Sequence, residues 1–282
     1  MSISEVAGWD SAQLNHRIMK AEINNFNGLW YKLYRADSDV FVVVIPGSGE
    51  WIATKTPTEA QVSAVADKMG YGKYAARGKE YPFNVLTVVP PRGKSQADHA
   101  PIMAHLAELT KSLGAKKTYI SGLSQGGQTV AGFLTNSQNG TSPTKYLNSD
   151  AFDGFVIFCG KAPGSPDYCA NPDKPVLILH GTRDDAVGYA SGEKIERMTN
   201  KCPRRTSRTI LIPIPGGGHS SAWNEGYNVD SPYGKIVYET LLHWIGKDEN
   251  HAIECTALLD EKNLKATFKL PEGDKVYGLV PD

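Results

Sequence analysis

Three polar side chains in this chain occupy places where covalent chemistry would need them. Ser124 lies in Gly122-Leu123-Ser124-Gln125-Gly126, with a strand-forming run before it (Lys117 to Ser121) and helical spacing after it (Gly126 to Leu134). A serine hydroxyl is a poor nucleophile at neutral pH and needs an exposed position and an adjacent base. A sharp strand-to-helix turn lifts Oγ clear of its surroundings, and small neighbours relieve the crowding. The helix that follows points its positive end at a developing negative charge. Downstream, Val176 to Leu179 runs into His180-Gly181-Thr182-Arg183-Asp184-Asp185-Ala186-Val187, which sets a carboxylate in the loop beyond a strand end. Further on, Ile210 to Ile214 runs into Pro215-Gly216-Gly217-Gly218-His219, and the glycines suit a loop that brings an imidazole over the serine. Ser124 is thus the expected nucleophile, His219 its general base and an aspartate of the loop at 184–185 the acid that orients the imidazole, in the chain order Ser, Asp, His.

Attack by a serine on a carbonyl also needs preorganised N–H donors for the oxyanion, one of them from the residue after the nucleophile. Gln125 supplies that one. The second is expected from the turn after an early buried strand, at Ser48 or, as second choice, Gly49 of Pro46-Gly47-Ser48-Gly49. Gly49, Trp51, Trp223 and Tyr227 are candidates for lining an acyl or alcohol pocket, since they follow the oxyanion turn and the histidine. His180, at a strand end, reads as a support for its loop. His16, His99, His105, His243 and His251 read as surface or packing residues. No metal-ligand cluster is evident, and no metal or organic cofactor is implied.

These groups need a framework, and the pattern supplies one. Short β-rich runs alternate with helical patterns, the mark of a mostly parallel sheet with helices on both faces. Strands are expected at Arg17 to Ile23, Leu29 to Leu33, Val40 to Ile45, Asn84 to Val89, Lys117 to Ser121, Phe155 to Phe158, Val176 to Leu179 and Thr209 to Pro213. The first two are joined by Asn24 to Gly28. Val40 to Ile45 is a continuous apolar run, as a strand buried on both faces requires. Helices are expected at Thr58 to Met69 (buried side Ala60, Val62, Val65 and Met69), Asp98 to Leu113, Gly126 to Leu134 and Tyr233 to Ile245, with another beginning around Ala190. After about Gly246 the pattern changes: Leu264, Ala266, Phe268 and Leu270 alternate with Lys265, Thr267 and Lys269, which argues for a half-buried strand. With Ile253 to Leu259 before it, a C-terminal β-hairpin is expected, an appendage at 249–282 on a catalytic domain at 1–248.

Composition excludes several function classes. The 282 residues carry 30 Lys and Arg against 30 Asp and Glu, a net charge of zero. That offers no electrostatic case for nucleic acid or an anionic membrane surface. No apolar stretch is long enough to span a membrane. Met1 to Gln13 lacks the basic region and apolar run of a signal peptide, so a cytoplasmic location is the default expectation. Cys159, Cys169, Cys202 and Cys255 are too few and too scattered for a disulfide scaffold or zinc site. Free thiols are expected, with a single Cys169 to Cys202 bridge as the alternative.

The blocks together resemble the esterase and peptidase-like branch of the α/β hydrolases. That branch includes carboxylesterase/phospholipase-type, poly(hydroxybutyrate) depolymerase-like and feruloyl esterase-like enzymes. The resemblance runs from about residue 28 to 246. It is carried by Ile45-Pro46-Gly47-Ser48-Gly49-Glu50, by Gly122 to Gly127, by His180 to Val187, and by Gly218-His219 with Trp223 and Tyr227. The family's His-Gly-x-x-Asp-x-x-Val spacing selects Asp184 over Asp185. Pro46 departs from the pattern, which usually has His there, and this bears on the shape of the oxyanion turn. The resemblance implies an α/β-hydrolase fold and a serine carboxylic ester hydrolase. A peptidase, thioesterase or acyltransferase could use the same three residues, and a binding protein could retain the fold without the chemistry. The segment Lys161 to Lys174 is too short for a large helical lid, and an open site suits a bulky or polymeric ester such as an acylated polysaccharide. The sequence does not speak to oligomeric state.

Overall fold

The computed structural model describes residues 19–54, 56–91, 105–136, 151–164 and 166–246, and the backbone of 254–259, 264–269 and 278–281. Eight strands form one sheet: β1 Lys20–Phe26, β2 Leu29–Arg35, β3 Val40–Ile45, β4 Asn84–Val89, β5 Lys117–Leu123, β6 Gly154–Phe158, β7 Val176–Gly181 and β8 Thr209–Ile214. Their order is β1-β2-β4-β3-β5-β6-β7-β8. β1 and β2 run antiparallel to their neighbours, and every pairing from β4 across to β8 is parallel.

The first hairpin is tighter than the Asn24 to Gly28 turn expected. Phe26 pairs with Leu29, and only Asn27 (φ 50°) and Gly28 (φ 89°) form the turn. Two consecutive left-handed residues match the right-handed twist of the flanking strands, so β1 continues three residues past Ile23. The start expected at Arg17 lies outside the described residues.

β3 shows why a continuous apolar run was needed. All six of its residues are buried. Val42 and Val44 pack with Tyr71, Phe158, Tyr227 and Trp244 on one face. Phe41, Val43 and Ile45 pack with Leu106, Val130, Phe133 and Ile157 on the other. Side chains alternate across a strand, so both faces of a central strand are paid for only when every residue is apolar. Each such side chain contributes about 1.5–3 kcal/mol relative to exposure.

The described helices are α1 Glu59–Ala66, α2 Gly70–Ala75, α3 Leu106–Ser112, α4 Gln125–Leu134, α5 Ala190–Asn200, α6 Ser221–Gly226 and α7 Pro232–Ile245. Thr58 caps α1 in a reciprocal box with Gln61. The helix ends at Ala66 instead of Met69, because Gly70 takes φ 53° and turns the chain into the separate α2. On α1 the buried residues are Val62 and Ala66, while Ala60 is exposed. The expected start of the third helix at Asp98 lies outside the described residues. Gly114 ends that helix at φ 88°. The three residues Gly218, His219 and Ser220 lead into α6, a short helix that the sequence pattern does not announce.

The expectation of free thiols fails at Cys169 and Cys202, which form a disulfide with Cα atoms 5.5 Å apart. The two lie 33 residues apart in sequence, and only the packing of the segment after β6 against the end of α5 makes them neighbours. Cys159 is free and buried. Among the described residues no helix is long and apolar enough to cross a membrane.

Past α7, the backbone of Glu254–Leu259 (β9), Leu264–Lys269 (β10) and Gly278–Pro281 (β11) forms a separate antiparallel sheet in the order β11-β10-β9. The expected turn at 260–263 lies outside the described residues, as do the side chains of this end.

Candidate active site

The C-terminal ends of the parallel strands converge on one edge of the sheet, and the three sequence-selected side chains meet there. Ser124 joins β5 to α4 with φ 52°, a conformation that a residue with a Cβ adopts only when its surroundings impose it. The surroundings here are backbone. A Cβ on Gly122 would stand 2.4 Å from Gly126 O, and one on Gly126 would stand 2.1 Å from Ile45 O. A Cβ on Gly127 would meet Phe158 O at 2.8 Å. The glycines of the elbow are therefore demanded by close approach of α4 to β3, β5 and β6, and this contact presses Ser124 outward.

The acid and base loops are stitched together at main-chain level. Thr182 N donates to Ile214 O at 3.0 Å and Arg183 N to Gly217 O at 2.9 Å. Gly216 N donates to Thr182 Oγ1 at 2.8 Å. A Cβ on Gly181 would stand 2.3 Å from Gly217 O, so the approach is possible only for glycine. This seam brings His219 Nδ1 to 2.7 Å from Asp184 Oδ2, and His219 Nε2 to 2.9 Å from Ser124 Oγ. Trp223, in the first turn of α6, meets the His219 ring edge-on at 5.1 Å.

Asp184 is fully provided with partners, as a buried carboxylate must be. Its Oδ1 accepts from Ala186 N at 2.9 Å and Val187 N at 2.8 Å. Its Oδ2 faces both His219 Nδ1 and, at 3.2 Å, His180 Nε2. The neighbouring Asp185 is exposed, and α5 begins without a side-chain cap, so Asp185 faces solvent. His180 is completely buried. Its Nε2 lies 2.7 Å from the carbonyl of Val187, an acceptor only, and so carries the proton. Burial pushes the His180 pKa below its usual 6.5, against the opposing pull of Val187 and Asp184. The imidazole stays neutral and ties the acid loop to its own strand end.

Opposite this side lies the turn after β3. Ser48–Glu50 is one turn of 3-10 helix, and Ser48 and Gly49 are exposed. Glu50 N donates to Gly47 O at 3.1 Å, and Trp51 Nε1 donates to Pro46 O at 3.1 Å. Gln125 opens α4, where first-turn N–H groups have no acceptor within the helix.

Of the pocket candidates, Gly49 is exposed, and Trp51 and Trp223 are half-buried. Tyr227 requires a correction. It is 2% exposed, set edge-on against Tyr71 and tilted against Phe158, and its hydroxyl donates to Ser121 Oγ at 3.0 Å. Ser121 Oγ in turn donates to Val43 O at 2.8 Å. Tyr227 is a core residue beneath the strand that leads to Ser124, too buried to line an open pocket.

Two residues near the site escaped the sequence reading. Cys159 follows β6 at φ 43°; its Sγ lies with donor atoms of Asp184 and His219, all within 4.8 Å of one another. These three could in principle hold a metal ion, but Asp184 and His219 already bind each other, and burial raises the thiol pKa. The signal was positional only: β6 lies next to β5, so its end must adjoin the serine. Glu50 belongs to a recognised block, but nothing in its type announced that its side chain folds back over the turn.

Comparisons with known proteins agree with this geometry. The family model for phospholipases/carboxylesterases of the α/β-hydrolase fold matches residues 98–229. No curated protein sequence matches the chain. Among solved structures, the chain is similar to esterase 2 from Thermogutta terrifontis phosphorylated by paraoxon, with 17% identity, a TM-score of 0.52, and coverage of 82% of this chain and 96% of that one. It is similar to Est1E from Butyrivibrio proteoclasticus, with 15% identity, a TM-score of 0.52, and coverage of 80% and 99%. A truncated carbohydrate esterase from gut microbiota aligns at 15% identity and a TM-score of 0.51 over 79% and 93%. The chain has the α/β-hydrolase fold. The family match, over residues 98–229, supports the esterase branch of that fold.

Proposed function

We propose that this protein is a serine carboxylic ester hydrolase in which Ser124, His219 and Asp184 act as a catalytic triad. The observation that carries the reading is the continuous chain of contacts from Ser124 Oγ through both nitrogens of His219 to Asp184. Because the carboxylate accepts the Nδ1 proton, Nε2 is left bare to take the proton of Ser124 as its Oγ attacks the ester carbonyl. The tetrahedral oxyanion is met by the N–H groups of Gln125 and Ser48. His219 then protonates the leaving alcohol, an acyl-enzyme forms on Ser124, and water attacks it with His219 again as base. Every group required comes from the chain itself.

The exposed turn at Ser48 and Gly49, and a segment after β6 with no helix among its described residues, suit a bulky or polymeric ester. The similarity to a carbohydrate esterase directs that choice toward acylated saccharides. The Cys169–Cys202 disulfide favours an oxidising compartment over the cytoplasmic default, since such bonds persist where thiols are not kept reduced.

A fluorophosphonate probe should label the wild-type protein at Ser124, in keeping with the phosphorylation of the Thermogutta esterase by paraoxon. Ser124→Ala should abolish labelling and lower p-nitrophenyl ester hydrolysis by several powers of ten while the protein stays folded. Activity within about tenfold of wild type would remove Ser124 as nucleophile. A panel of p-nitrophenyl, feruloyl and acetylated-sugar esters then ranks the substrate classes.

A further inference from the structure

We infer that Glu50 is a positioning residue for the oxyanion turn: its carboxylate holds the main chain at Gly47 so that the Ser48 N–H stays aimed at a carbonyl bound to Ser124. This rests on the serine-hydrolase reading above.

Three observations carry it. The first is place. A Cβ built on Gly47 would stand 3.0 Å from Glu50 Oε2 and 3.4 Å from Ser124 Cβ. The acid and the serine thus flank the same point of the turn, and a larger residue there would crowd both of them. The second is what holds the turn. Ser48 and Gly49 are exposed, so packing does not fix their direction. The main-chain bond from Glu50 N to Gly47 O and the indole bond from Trp51 to Pro46 O both grip carbonyls. The third is the Glu50 carboxyl itself: half-buried, it is raised by loss of water, while the nearby main-chain N–H groups of Glu50 and Gly47 pull it the other way. It lies against Gly47, the residue immediately before Ser48. Pro46, which stands where the resembling family has His, brings no N–H and no polar side chain to this task.

A carboxylate next to a site of developing negative charge is electrostatically unwelcome. Its retention there is understandable if the acceptor oxygen matters and the charge does not. That distinction makes the inference testable, because glutamine keeps the acceptor and loses the charge.

Steady-state kinetics of Glu50→Ala, Glu50→Met and Glu50→Gln on p-nitrophenyl butyrate, with the fluorophosphonate labelling rate and a thermal melt for each, provide the test. Loss of a whole oxyanion donor costs on the order of 10²–10³ in kcat, so misaiming one should lower kcat about 10- to 100-fold. KM should stay within about twofold, and labelling should slow in parallel with kcat. Glu50→Gln should recover most of the lost rate. Glu50→Met fills the same space without an acceptor and serves if the alanine variant melts early. Full kcat in the alanine and methionine variants overturns the inference. So does a Gln variant as slow as the others, which would assign the charge itself to substrate contact. Wild-type protein that neither turns over ester nor takes the probe would instead overturn the parent reading.

Discussion

The two sides of Ser124 are built in opposite ways. On the base side, Asp184 has hydrogen-bond partners on both oxygens, its loop is sewn to the histidine loop by main-chain bonds, and His180 closes the seam from a fully buried position. On the oxyanion side, exposed Ser48 and Gly49 hang from a single 3-10 turn with few ties. The difference follows from what the proposed reaction asks of each side. A buried carboxylate without partners is costly, and the imidazole must keep one tautomer and one direction through the whole cycle. On the proposed mechanism the oxyanion side must instead admit a substrate, so its proposed donors stand at the surface and rely on local ties for their aim.

Breaking the base side should have the largest effect. Asp184→Asn leaves the imidazole free to take the wrong tautomer, and turnover should fall about ten-thousand-fold, as in the chymotrypsin-type example of this arrangement. Asp185→Asn, exposed one residue away, should keep near-wild-type kcat/KM and stability within about 0.5 kcal/mol. The reverse outcome in the pair would move the role to Asp185.

A softer effect is expected opposite. Trp51→Phe removes the indole donor to Pro46 O and keeps most of the ring. A neutral hydrogen bond contributes about 0.5–1.5 kcal/mol, so kcat should fall by no more than about tenfold. A loss comparable to Asp184→Asn would mean that the two sides are equally intolerant, and the contrast drawn above would be wrong.

The smallest effect is one of pH. His180 has its pKa lowered by burial, so in the acid range the unfolded chain binds a proton that the folded one does not. Its contribution is therefore without cost above the ordinary value of 6.5, and stability is lost as pH falls below it. Melting temperatures measured between about pH 7 and 5 should fall less steeply for His180→Gln than for wild type. Parallel slopes would show that His180 does not govern the acid side.

Much of the fold was legible because β3, β6 and β7 carry apolar runs that admit few other readings. The grouping of Ser124, Asp184 and His219 was legible because each lies just past a strand, and parallel strands deliver their C-terminal ends to one edge. Asp184 was separable from Asp185 only through the resemblance, whose His-Gly-x-x-Asp-x-x-Val spacing it fits.

What the sequence determined by itself was therefore local and periodic: which segments are strands, where the nucleophile turn lies, and which loops leave the same edge. Tertiary structure alone decided what depended on contacts between segments distant in the chain. It joined Cys169 to Cys202 across 33 residues, where the cysteine spacing favoured free thiols. It withdrew Tyr227 into the core, because the neighbours of an amphipathic ring are not written beside it. It turned Glu50 back over Gly47 and set Cys159 beside the acid and the base. Side-chain direction at a loop is chosen by what packs against it, and those partners come from elsewhere in the sheet.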